Sequence, residues 1–275
     1  MDFLDLIEQT LDEILPDATT RPAILSEAMR YAVGTGGKRI RPLICLASAT
    51  AVGGKAEDAR YPAAGIELLH NYTLVHDDLP AMDNDVERRG KPTVWKKFGE
   101  ANAILVGDAL EALAFAAAAK APRNIPQIVA TLGRYGLGVV AGQVEDVERE
   151  GSEKVKVKGE KVKVKGEKVK VDGEKVNFIY EHKTGDLFCA AAVMGAYAGG
   201  GDAESVEKLR SFALNLGLAF QFEDDLLDGD SPYPETETKA LVEKHTAAAI
   251  AALDGLPGDT EFLQSLAAKL VGRTV

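Results

Sequence analysis

The 275-residue sequence predicts an all-α protein, a large bundle of helices, and three observations predict it. Apolar residues recur at spacings of three and four along most of the chain, which is the helix period. Residues 99–120 are Ala- and Leu-rich and nearly apolar all round, as a helix in the interior of a bundle is. Gly and Pro mark the breaks, at Gly34 to Gly37, Gly53-Gly54, Pro122 to Pro126, Gly199 to Gly201 and Gly255 to Gly258.

The first helix is predicted over residues 2–15, where Phe3, Leu4, Ile7, Leu11 and Leu15 form one stripe. Residues 24–33, 42–52 and 59–79 repeat the pattern, the last ending at Pro80. After 99–120 come 126–149, 177–199, 203–228, 237–253 and 259–271. One segment differs. From Glu153 the unit Glu-Lys-Val-Lys-Val-Lys-Gly recurs every seven residues, with glycines at 159, 166 and 173. Strict Lys/Val alternation is the strand period, so a short β-meander is expected at about 153–176. With Gly-Glu as each hairpin turn, Val157 faces Val162 and Val155 faces Val164. Removing residues 156–176 leaves an ordinary helix start with Ser152 as N-cap. The repeat therefore reads as an insertion, by duplication or engineering, within one domain spanning 1–275.

The hydrophobic fraction of 46% and charged fraction of 27% are those of a soluble globular protein. A formal net charge of −11 argues against a nucleic-acid binder, which would want a basic face. No apolar run reads as the roughly 20 residues of a membrane span, and the acidic N-terminus does not read as a signal peptide. Cys45 and Cys189 sit in apolar surroundings, as buried thiols of a cytoplasmic protein would.

Two carboxylate clusters carry the chemistry: Asp77-Asp78 with Asp83, and Asp224-Asp225 with Asp228. Both interrupt apolar helical stretches, where carboxylates are costly without a compensating charge. Carboxylate oxygens suit hard cations, and Mg²⁺ is usually held by a few carboxylates plus substrate phosphates. Pro80 breaks the helix, so Asp77 and Asp83 can converge despite irregular spacing. Gln221, Asp224 and Asp228 share one helix face, and Asp225 lies on another with Leu218, Phe222 and Leu226. Cations flank the first cluster. Arg88-Arg89-Gly90-Lys91 is a tight basic turn, and adjacent guanidinium groups suit phosphate. Gly36-Gly37-Lys38-Arg39-Ile40-Arg41 leads three cations into a helix start, an anion site by charge and dipole together. A salt-bridged surface is the plain alternative for each of these pieces alone.

Taken in order, GGKRIRP, HNYTLVHDDLPAMDNDVERRGKPT, FGEANAILVGDAL, GQVED, HKTG and GLAFQFEDDLLD resemble the trans-isoprenyl diphosphate synthases, the polyprenyl synthetase family. The farnesyl and geranyl diphosphate synthases of bacterial type are the nearest pattern. The resemblance covers roughly residues 25–150 and 177–228. It implies an isoprenoid-synthase-type helical bundle around a central cavity, usually a homodimer. Asp77, Asp83 and Asp224, assisted by Asp78, Asp225 and Asp228, would hold three Mg²⁺ on an allylic diphosphate. Arg88, Lys183 and Gln221 would bind that substrate, with Thr184 alongside. Lys38, Arg41, His70 and Arg89 would hold isopentenyl diphosphate. Tyr72 and Thr73, five and four positions before Asp77, would set product length, and an aromatic there implies a short product such as farnesyl diphosphate.

The sequence also departs from that pattern. A lysine-bearing segment expected soon after Asp228 is absent, and Lys239 is a conceivable substitute whose surroundings do not support the match. Asp186 stands where a small apolar residue is usual and is expected to pair with Lys183. Trp95 replaces a usual His. These departures keep two other readings open: an impaired homologue or partner subunit on the same scaffold, and a terpene cyclase. The second diphosphate site disfavours the cyclase.

Overall fold

The computed structural model describes residues 2–157, 160–163, 173–229 and 231–271. Its elements run α1 (Phe3–Ile14), α2 (Ala23–Gly34), α3 (Ile40–Ala51), a 3₁₀ turn (Ala56–Ala59) and α4 (Arg60–Asp77). A hairpin of β1 (Glu87–Arg88) and β2 (Lys91–Pro92) precedes α5 (Val94–Phe98), α6 (Glu100–Ala118) and α7 (Ile125–Glu153). Strands β3 (Lys154–Val157) and β4 (Glu160–Lys163) follow. The chain closes with α8 (Gly173–Ile179), a π-helical turn (Tyr180–Gly185), α9 (Asp186–Gly199), α10 (Ala203–Asp228), α11 (Glu235–Ala252) and α12 (Glu261–Val271). The all-α expectation holds, and the helix bounds fall within a few residues of those read from periodicity.

The repeat is the main correction. Its first two strands pair antiparallel, but Val155 lies opposite Val162 and Val157 opposite Glu160. The expected register had Val157 opposite Val162. A shift of two residues keeps every residue on its own face, so alternation cannot tell the two registers apart. Residues 173–176, expected in the meander, open α8. The remaining expected pairings fall outside the described residues. With the repeat in place, helix α7 runs through Gly151-Ser152.

The chain forms two compact units. One comprises residues 1–132, 190–207 and 256–260, the other 133–189, 208–255 and 261–275. In the first, α4 packs along α6 through small side chains. A Cβ on Gly65 would lie 2.9 Å from the Ala114 carbonyl, and Ala63, Ala64, Ala103 and Ala118 are fully buried. Ile66 and Leu68 are also fully buried on α4. Each such aliphatic side chain contributes about 1.5–3 kcal/mol through burial. By length and hydropathy α6 is apolar enough to cross a bilayer, contrary to the expectation from the sequence. In this fold it is a core helix against α4, with Asp108 and Glu111 on its outer side. Asp202 opens α10, its Oδ1 accepting from the Ser205 N–H at 2.8 Å. In the second unit, Val176, Ile179, Tyr180, Phe222 and Val242 form a core flanked by Leu218, Leu226, Tyr233 and Leu241.

Candidate functional site

The first carboxylate cluster sits where α4 ends. The chain turns back on itself after Asp77, and the Asp83 N–H donates to the Asp77 carbonyl at 2.9 Å. This main-chain bond brings Asp77 and Asp83 together, as the break at Pro80 predicts. Asp78 is 3% exposed and accepts from Arg88 through Nε at 2.8 Å and Nη2 at 2.6 Å. Burial holds the Asp78 carboxyl above the ordinary carboxylate value, and the guanidinium offsets only part of that.

Arg88 and Arg89 do not act as one fork. Arg89-Gly90 is the two-residue turn of the β1–β2 hairpin, with both φ angles positive, 54° and 75°. That is the turn geometry whose twist matches a hairpin. It sends Arg88 to Asp78 and Arg89 to the Gly36 carbonyl. Gly37, at φ 139°, leaves room for it. A Cβ there would stand 2.7 Å from Arg89 Nη1.

Three of the four residues expected at a second anion site converge. Arg41 Nη1 lies 3.3 Å from His70 Nε2. A guanidinium only donates, so Nε2 accepts and the imidazole is neutral, with its proton on Nδ1. Burial pushes the His70 pKa well down, and repulsion from Arg41 and Arg89 adds to it. Burial also brings Arg41 down to about 10. His70 Nδ1 is buried with no hydrogen-bond partner among the described residues. A donor in that position beside mutually repelling guanidinium groups is complementary to a polyanion. Lys38 is exposed on the same glycine turn. Arg39, the third cation of that turn, is structural. It is 5% exposed and donates to Glu8, Glu67 and the Val33 carbonyl.

Tyr72 and Thr73 lie one turn before Asp77. The Tyr72 ring meets His76 edge-on, at 5.0 Å between centroids. His76 in turn lies against Gly107, with Nε2 3.0 Å from the Ile104 carbonyl. Thr73 bonds back to the His70 carbonyl at 2.8 Å. Trp95 donates from Nε1 to the Asp85 carbonyl at 2.7 Å, closing the loop behind the hairpin.

The second cluster lies near the end of α10, and its surroundings are built by the π turn. Asp225 accepts from Tyr180 O–H and from Gln221 Nε2, the latter at 2.9 Å. Gln221 Oε1 accepts from Thr184 Oγ1 at 2.8 Å. Asp225 thus faces the Tyr180–Phe222 core, as the helical face predicts, while Gln221 links it to the turn. Lys183 Nζ donates to Asp146 Oδ2 at 2.6 Å. The expected Lys183–Asp186 pair does not form. Asp186 instead lies 2.8 Å from His182 Nδ1, one helical turn back. The π turn winds through more residues per turn than an α-helix, and here Lys183 points to Asp146 on α7. Lys239 bonds its own helix neighbour Glu235 at 2.5 Å, and both are exposed.

Tyr180 and His182 carry parts of this arrangement that the sequence reading passed over. A smooth helix over 177–199 hides a π turn. Gly185 in mid-helix, opposite Gly217, is the one sequence signal of it. Among the described residues no three carboxylate, imidazole or thiol groups converge closely enough to cage a cation. The donor set still fits Mg²⁺, which takes one or two carboxylates and completes its shell with phosphate and water.

The family described as polyprenyl synthetase matches residues 22–269. Geranylgeranyl pyrophosphate synthase 4 of Arabidopsis thaliana is 42% identical over 231 residues, 82% of this chain and 57% of that one. The heterodimeric geranylgeranyl pyrophosphate synthase large subunit 1 of the same plant is 41% identical over 82% of this chain. The chain spans between half and two thirds of the length of these curated relatives. Among solved structures, an FPP/GFPP synthase from Zymomonas mobilis superposes with a TM-score of 0.85 at 32% identity, covering 98% of this chain and 97% of that one. The geranylgeranyl pyrophosphate synthetase of Pyrococcus horikoshii gives 0.84 at 29%, with 98% and 96% covered.

Proposed function

Because the chain belongs to the polyprenyl synthetase family, we propose that it is a prenyltransferase condensing isopentenyl diphosphate with an allylic diphosphate such as dimethylallyl or geranyl diphosphate. The observation that carries this is the neutral, half-buried His70, its Nδ1 buried, beside Arg41 and near Arg89, a site for a diphosphate that needs no metal. A terpene cyclase would have no use for it.

We assign magnesium to Asp77, Asp83, Asp224 and Asp228. Asp78 and Asp225 accept from Arg88 and from Tyr180 and Gln221, which makes them positioning residues. When bound, magnesium offsets the charge that gathers on the leaving diphosphate. Lys183 and Arg88 are assigned to binding the allylic diphosphate, each as a source of fixed positive charge. The allylic C–O bond breaks, the alkene of isopentenyl diphosphate closes a new C–C bond, and the proton leaves to the released diphosphate. The oxygen dipoles of Thr184 and Gln221 stabilise the cation in between.

The product reading is farnesyl diphosphate, supported by Tyr72 held edge-on by His76. The names of the curated relatives favour geranylgeranyl diphosphate as the second reading. Incubation with both diphosphates and Mg²⁺, followed by product sizing, separates them. Tyr72→Ala should lengthen the product; an active variant with the same product profile would defeat the farnesyl reading. Absence of diphosphate release by the intact chain would favour the impaired-homologue reading. The proposed homodimer is supported by Ile104 and Leu105 on α6, 46% and 56% exposed, and by Leu137, Val140 and Val144 on α7. Sedimentation as a monomer at micromolar concentration removes that part.

A further inference from the structure

The π turn is held by main-chain contact on two sides. On α7, a Cβ at Gly142 would stand 2.5 Å from Lys183 N and 3.1 Å from His182 Cβ. One turn earlier, a Cβ at Gly138 would overlap Asp186 Oδ2 and come within 3.3 Å of His182 Nδ1. On α10, a Cβ at Gly217 would approach Gly185 Cα at 3.0 Å. The three glycines bring no side chain of their own to these contacts, so the turn and its neighbours approach closely. A π turn is a rare interruption of a helix, found frequently at functional sites.

Asp186 is the residue that closes this clamp. It is 6% exposed, directly follows the turn, and its carboxylate is lodged over Gly138. Burying a carboxylate is costly unless a donor meets it, and here the donor is His182 Nδ1–H at 2.8 Å. The bond spans the second half of the turn, from its third residue to the first residue of α9. Lys183 and Thr184 lie between its ends, with Lys183 directed to Asp146 and Thr184 to Gln221.

We infer that Asp186 is a positioning residue: through His182 and Gly138 it fixes the π turn that presents Lys183 and Thr184 to the allylic diphosphate. This rests on the substrate reading above. Steady-state kinetics of four variants of the intact chain test it. Lys183→Ala checks the reading itself and should raise KM for the allylic diphosphate. Asp186→Ala should raise the same KM about tenfold, the scale of a misplaced binding group. KM for isopentenyl diphosphate and the melting temperature should stay near those of the parent. Asp186→Asn keeps an acceptor for His182 and should restore most of the loss. Gly138→Ala displaces the carboxylate without removing it and should mimic Asp186→Ala, while alanine favours the helix it enters. A rise in both KM values together would mark Asp186 as merely structural. An unchanged allylic KM in Asp186→Ala and Gly138→Ala, with a raised one in Lys183→Ala, would overturn the inference alone. An unchanged KM in Lys183→Ala would overturn the substrate reading, and Asp186 would then have nothing to position.

Discussion

The two aspartate pairs look alike in sequence and are held by different physics. In the first, Asp78 is buried and met by a cation, Arg88, from a hairpin ten residues on. In the second, Asp225 is half-buried and met by neutral donors, the Tyr180 hydroxyl and the Gln221 amide. The first cluster gains its shape from a main-chain turn, the Asp83 N–H closing onto the Asp77 carbonyl. The second stays on an unbroken helix and gains its shape from side chains of a π turn. A carboxylate motif therefore fixes donor chemistry but not how its members are divided between ligand and scaffold. That division depends on which partner the fold delivers.

The difference can be broken most forcefully at Arg88. Arg88→Ala leaves Asp78 buried without its cation. This should cost about 2–3 kcal/mol, below the range for a fully buried pair because Arg88 is partly exposed. Tyr180→Phe removes one neutral donor from a less buried carboxylate and should cost about 1 kcal/mol. Urea unfolding of both variants measures the ratio, and equal losses would erase the distinction.

A smaller effect sharpens the second region. Burial raises the Asp186 carboxyl above its ordinary value of 3.8, the His182 hydrogen bond offsetting part. The folded chain then keeps a proton that the unfolded chain has released. This contribution is complete below 3.8 and fades as pH rises through the raised value. The stability of the parent chain relative to Asp186→Asn should therefore fall with rising pH across that window. Unfolding free energies at several pH values check it, and a difference that grows with pH contradicts it.

The smallest effect is expected from deleting residues 156–176. Val176 belongs to the second unit's core and Lys175 bonds Glu145 at 3.0 Å, so the segment's end is structural. Deletion replaces Glu174-Lys175-Val176 by the identical Glu153-Lys154-Val155, because the repeat restores what it removes. The melting temperature should stay within a few degrees. Insoluble protein would show that the repeat supports the fold.

The sequence by itself determined the helices and the placing of carboxylates and cations along them. Helix period, the Asp202 cap and the glycines at helix ends act through neighbours in the chain. That is why α10 was legible at both ends. The six aspartates stood out as charges in apolar stretches, and Lys38, Arg41, His70 and Arg89 were grouped by the family resemblance. Tertiary structure alone decided the rest. It paired Arg88 with Asp78, turned Arg89 toward Gly36, buried Arg39 with Glu67 and sent Asp186 to His182 in place of Lys183. Those choices depend on side chains brought together by the fold, on glycines at 142 and 217 that let one main chain rest against another, and on Gly138, which leaves room for the Asp186 carboxylate. Periodicity records which face a residue occupies. It does not record how closely that face will be approached.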